Sequence, residues 1–177
     1  MEKQKEMKKN TWGSRRGILK WLLTCLTLLW MLFIFMMSSA GKDESNSPSG
    51  AVCGIICEVF VEGYEEMSPE DQIQMQKKIS FPVRKGAHLS EYAVLGALMT
   101  LTAAFWRREE TIMRKTTMRI LPVLGAGFLY AVSDEIHQAF VPGRSGEPRD
   151  VLIDTFGVLI GICIVRVCSS LRGRRKR

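Results

Sequence analysis

The chain is poor in the residue patterns that usually announce a chemistry. It has only two histidines, His88 and His137, and five cysteines. The cysteines stand at 25, 53, 57, 163 and 168, spacings that build no zinc ribbon or finger. No His-Glu-x-x-His run occurs, which excludes the zinc-protease arrangement. There is no glycine-rich phosphate loop and no internal repeat, so P-loop nucleotide chemistry and solenoid folds are excluded as well. Ser90 and Ser133 read as helix-packing residues rather than as members of a catalytic triad. Charge is also missing over long stretches, and residues 21–40 carry none.

That last absence defines the class. Apolar residues make up 46% of the 177, an ordinary average, but they are gathered into blocks. Crossing the roughly 30 Å hydrocarbon core takes about 20 apolar residues in a helix. Blocks of that length lie at 18–40, 86–106, 120–141 and 150–168. The expectation is an all-α integral membrane bundle of four transmembrane helices in one domain, 18–168. A basic N-terminus (1–17), an acidic loop (41–85) and a basic tail (169–177) flank or interrupt it. The start of the first block and its Ser38-Ser39-Ala40-Gly41 end resemble a signal peptide, but the block exceeds the usual 7–15 apolar residues of one, so an uncleaved span is expected.

The net charge of +7 follows the blocks. The N-terminal stretch to Lys20, the segment 107–119 and the C-terminal end from Arg166 hold 18 Lys and Arg, against 7 in the two other connections. By the positive-inside rule both termini are cytoplasmic and loop 41–85 is outside. Anionic lipid, rather than nucleic acid, is the partner this distribution suits. Trp12, Trp21 and Trp106 fit the interfacial belts.

Within the external loop, residues 51–61 are apolar but too short to span, so they lie on the membrane surface or cover the bundle. Cys53 and Cys57 there either pair or remain thiols. Ser68-Pro69-Glu70-Asp71 starts a helix, with Ser as N-cap and Pro in the first turn. That helix is expected to run to about Ile79 and to end at Phe81-Pro82, as a lid or a connector.

Ionisable groups inside three of the blocks are the main functional signal. Each costs about 2.5–3.5 kcal/mol at the centre of a spanning helix on insertion scales, and such groups usually face a bundle interior or wet cavity. They are His88 and Glu91 in the second block, with Lys85 just before it, Asp134, Glu135 and His137 in the third, and Asp150 and Asp154 in the fourth. The topology puts all of them within about 10 Å of the outer face. His88 and Glu91 are three apart, as are Asp134 and His137, while Asp150 and Asp154 are four apart, so each pair shares a helix face. Gly157 and Gly161 continue the last stripe, and small residues there allow close helix approach. The donor set suits a divalent metal, or a general acid and base. Lys85, Arg144 and Arg149 suit a phosphate or carboxylate. An interhelical ion-pair network that saturates itself is the competing reading.

The same residues carry a family resemblance. Arg84-Lys85-x-x-His88-x-x-Glu91-Tyr92, followed by Leu95-Gly96, resembles the first signature of the VanZ-like family. Ser133-Asp134-Glu135-x-His137-Gln138-x-Phe140-Val141-Pro142-Gly143-Arg144, then Asp150-Val151 and Asp154-x-x-Gly157, resembles the second. Ile34-Phe35 with Ser38-Ser39 resembles the end of that family's first span, although Ala40 stands where a Gln is frequent. The resemblance implies a bacterial cell-membrane protein of the envelope, in a family whose namesake is associated with teicoplanin resistance and has no settled reaction. Candidate reactive residues are then His88, Glu91, Asp134, His137 and Asp154. Candidate ligand-binding residues are Lys85, Tyr92, Glu135, Gln138, Arg144 and Asp150. The expected partners are the bilayer and a wall precursor, lipid headgroup or glycopeptide. A membrane hydrolase or transferase is the alternative. A non-enzymatic assembly or transport subunit is a third reading, and transport through so few spans requires a homo-oligomer.

Overall fold

A computed structural model describes residues 2–39, 48–106, 117–142 and 146–175, with side chains over 17–39, 50–106, 120–142 and 146–175. The described residues form five α-helices and a single 3-10 turn, with no strand among them. These are α1 (Glu2–Ser39), α2 (Pro48–Phe60), α3 (Pro69–Trp106), α4 (Thr117–Ala139) and α5 (Pro148–Arg174), with the 3-10 turn at Tyr64–Glu66. Three helices are long and apolar enough to cross a membrane: Gly17–Ser39 of α1, α3 and α5. Helix α4, expected as a fourth span, is not among them. The polar run Ser133 to Gln138 in its last turns dilutes an otherwise apolar helix.

Helix α3 is the hub and packs against α1, α2, α4 and α5, most extensively against α5. Small residues make that last contact possible. A Cβ on Gly157 would stand 2.5 Å from the Leu89 carbonyl oxygen, and one on Gly161 would meet the Ala93 carbonyl and stand 2.6 Å from the Ala97 nitrogen. Gly96 of α3 returns the arrangement by pressing on the Val158 backbone. The backbones therefore touch directly, as small residues permit between spanning helices. Tyr92, Leu95, Ile34, Val123, Ala131, Val158 and Ile162 fill the core that results.

The expected stop at Phe81-Pro82 is absent. Helix α3 runs unbroken for 38 residues, through Pro82. Proline removes one backbone hydrogen bond and crowds the carbonyl four residues earlier. Here both Pro82 and Lys78, which carries that carbonyl, are exposed, so the freed oxygen is not sealed in the core. The expected start is as read: the Asp71 N–H donates to Ser68 Oγ at 3.2 Å. At 1.5 Å per residue α3 is roughly 57 Å long, well beyond a bilayer core.

Its projecting half is clasped by α2. Buried Tyr64 accepts a hydrogen bond from Gln76 Nε2 at 2.6 Å, and Gln72 Nε2 donates to the Tyr64 carbonyl at 3.0 Å. Cys53 and Cys57, one helical turn apart, are both buried on the inner side of α2, and no disulfide joins them. The segment 51–61 is thus helical and packed on α3.

Helices α1 and α4 run toward one end of the bundle, and α3 and α5 run away from it. The opposite end is marked by aromatic packing. Trp21 meets Trp106 edge-on at 5.3 Å, Lys20 lies over the Trp106 ring, and Trp106 Nε1 donates to Thr24 Oγ1 at 3.0 Å.

Candidate functional site

The end where α1 and α4 finish and α5 begins is polar and largely buried. Asp134 is 1% exposed and Asp154 is 2% exposed. Three neutral donors converge on a single oxygen of Asp134. Ser38 Oγ donates to Oδ2 at 2.8 Å, Gln138 Nε2 at 3.1 Å and Tyr92 Oη at 3.2 Å. They come from α1, α4 and α3. Gln138 reaches because it is one turn beyond Asp134 on the same helix, and Tyr92 because it is wholly buried in the core beneath. This array fixes the carboxylate and leaves its other oxygen, Oδ1, buried without a hydrogen-bond partner among the described residues.

Asp154 of α5 and His88 of α3 complete a cluster. One ligand atom from each of His88, Asp134 and Asp154 lies within 4.8 Å of the others. His88 Nδ1 stands 4.0 Å from Asp154 Oδ1, beyond hydrogen-bond reach. The three residues therefore face one another across a gap. The stripe Asp154, Gly157, Gly161 explains the approach: the glycines bring α5 onto α3, and Asp154 rides on the same face toward His88.

A cavity of about 140 Å³ opens beside the cluster. Phe81, Arg84, Lys85 and His88 line it from α3, Glu135 and Gln138 from α4, and Glu147, Asp150, Ile153 and Asp154 from the start of α5. Lys85 pairs with Asp150, and its ammonium also sits 5.2 Å from the Phe81 ring centre. The Glu147 N–H, at the N-cap of α5, donates to Glu135 Oε1. Glu135 Oε2 and Asp150 Oδ1 are also buried atoms without hydrogen-bond partners among the described residues.

The expected residues thus separate into three groups. Lys85, His88, Glu135, Gln138, Asp150 and Asp154 border the cavity, and Asp134 and Tyr92 stand directly behind it. His137 also points to α1, one residue beyond the partner of Asp134, and does not border the cavity: its Nε2 is 2.9 Å from Ser39 Oγ, and its ring stacks on Phe35 at 4.0 Å. Glu91 borders neither the cavity nor the three-residue cluster, and its backbone carbonyl accepts from Trp30 Nε1 at 2.9 Å. Arg144 lies outside the described residues, and Arg149 is exposed. Ser90 and Ser133 donate to the backbone of their own helices, at Gly86 and Tyr130.

The contributions of Ser38 and Ser39 as partners of Asp134 and His137 are the functional contacts that helix spacing did not reveal. Their sequence signals are a pair of hydroxyls closing an apolar span and the likeness of that stretch to the end of the family's first span. An arrangement of this kind can hold a cation among the buried carboxylates, and it can present Lys85 and Arg84 to an anionic group at the mouth.

A family model described as VanZ/LLP1 matches residues 23–169. That stretch contains every residue of the cluster and of the cavity. No curated protein and no solved structure matches the chain.

Proposed function

The chain belongs to the VanZ/LLP1 family, and from that membership and the buried polar end we propose a membrane protein of the bacterial envelope that binds a polar headgroup at the outer leaflet. The ligand class is a lipid headgroup, a wall precursor or a glycopeptide of the teicoplanin type. The observation that carries the reading is the 140 Å³ cavity, walled by charged and polar groups from three helices, with unsatisfied carboxylate oxygens. A self-saturating ion-pair network leaves neither space nor orphan atoms.

In this reading α4 is the fourth span, its polar last turns tolerated because Asp134, Glu135 and Gln138 are buried against neighbours rather than turned to lipid. Both termini are cytoplasmic, because the basic segments cluster on that side. The polar end then faces outward, and Trp21 and Trp106 belt the inner face.

Teicoplanin tolerance in a bacterial host carrying His88→Ala, Lys85→Met or Asp154→Asn tests it. Each variant is expected to lose the tolerance the wild type confers, at equal membrane abundance. Full tolerance in all three sinks the reading. A second reading, a hydrolase or transferase, is favoured by one feature, the juxtaposition of His88 with Asp154 at 4.0 Å. Such a pair suits proton transfer once a substrate or water bridges it.

A further inference from the structure

The cluster behind the cavity has the construction of a metal centre. We infer that His88, Asp134 and Asp154 bind one divalent cation of the zinc or manganese type; the inference rests on reading the cavity as a ligand site and names what that site first takes up.

Four observations converge. One donor atom from each of the three residues lies within 4.8 Å of the others, and the three come from three different helices. A cation with ligands at about 2.0–2.2 Å holds those ligands roughly 3–4 Å apart, so a small inward movement closes the set. The second observation is independent of the spacing. Asp134 is 1% exposed, and its Oδ1 has no hydrogen-bond partner among the described residues. A buried acceptor of this kind calls for an explanation, and an absent ion is one of the standard ones.

Third, the three hydrogen bonds from Ser38, Tyr92 and Gln138 all fall on Oδ2. Outer groups that grip one carboxylate oxygen orient the other for coordination, as they do around metal ligands generally. These donors are neutral, so they hold Asp134 in place without cancelling its charge. Fourth, Asp134 and Asp154 are two buried carboxylates in close proximity. Lys85, which borders the same cavity, is engaged by Asp150. A divalent ion would offset the paired carboxylates.

The donor set selects the ion. One imidazole nitrogen with carboxylate oxygens suits zinc or manganese, whereas calcium and magnesium favour oxygen alone. His88 and Asp154 border the cavity while Asp134 stands behind it, so the ion's remaining positions open toward the cavity. Three protein ligands with an open position is the plan of a site that acts on a bound molecule rather than one that only stabilises.

The test uses the full chain, purified in detergent, stripped with EDTA and desalted. Zn2+ and Mn2+ are titrated separately by calorimetry, and bound metal is counted by elemental analysis. The expected result is one equivalent per chain, with affinity reduced at least tenfold in His88→Ala, Asp134→Asn and Asp154→Asn. Tyr92→Phe is expected to weaken binding by a smaller factor, because it loosens Asp134 without touching the ion. Arg166→Gln, at the opposite end, is expected to bind as the wild type does. X-ray absorption of the zinc-loaded wild type is expected to show nitrogen and oxygen ligands only. This needs no variant, so it decides the matter even where a substitution prevents folding. Sub-stoichiometric binding of both ions by monodisperse wild type, or sulfur in the zinc shell from the cysteines, overturns the site. The two readings fail separately. Loss of tolerance in Lys85→Met without any metal binding leaves the cavity and removes the ion. Metal binding with unchanged tolerance keeps the ion and removes the envelope role.

Discussion

Of the cavities at the two ends of the bundle, the larger carries the less information. The one beside Trp106 measures about 370 Å³, against about 140 Å³ at the polar end. It is walled by Met99, Ala103, Ile120, Val123, Ala126 and Ile162, with Thr27, Thr100, Thr102 and Arg166 as its polar additions. Such a wall offers no convergent set of charged groups. The smaller cavity is bordered by residues that are costly to place in a bilayer. Volume therefore measures how helices diverge, while convergence of polar groups measures what a site recognises.

The sharpest way to break both ends at once is Gly161→Leu. Helix α5 contributes to each cavity, and a side chain at 161 meets the Ala93 and Ala97 backbone. Forcing the helices apart is expected to cost about 3 kcal/mol or more. It should show as a collapse in the yield of monodisperse protein and in the detergent melting temperature. Asp134→Ala attacks the polar end alone. It strands the Ser38, Tyr92 and Gln138 donors in a buried site, an expected loss of about 2–3 kcal/mol. Thermal melting should fall while the Trp21–Trp106 contact at the far end persists, which tryptophan fluorescence reads. Ala103→Phe attacks the larger cavity alone. Filling that space is expected to change stability by less than about 1 kcal/mol and to leave both metal binding and teicoplanin tolerance unaltered. If Ala103→Phe abolished either property, the contrast between the two ends would be reversed.

The same contrast marks what could be read beforehand. The all-helical plan was legible because the apolar blocks have spanning length, and that signal survives any detail of packing. The glycine stripe at 157 and 161 was legible for a related reason: residues four apart share a face. Spacing gives neighbours along one helix but not the rotation of that helix against the next. Glu91 lies three residues from His88, yet it borders neither the cavity nor the cluster, and His137 shares with Asp134 the side turned to α1, yet does not border the cavity. The hydroxyls of Ser38 and Tyr92, which decide how Asp134 is held, belong to other helices, so the family signatures mark them where helix spacing does not. The helix through Pro82 has no local signal, because the continuity of α3 and its packing against α2 lie outside the reach of a proline's local penalty.

The Ser38–Asp134 bond joins residues 96 positions apart. During synthesis at about 5–20 residues per second, Ser38 precedes its acceptor by roughly 5–20 s. The polar end cannot close until α4 and then α5 have been made. Until that moment the first helix holds its hydroxyl pair without the carboxylate and imidazole that later receive them. The timing of translation, as much as the depth of the bilayer, sets when this protein acquires its site.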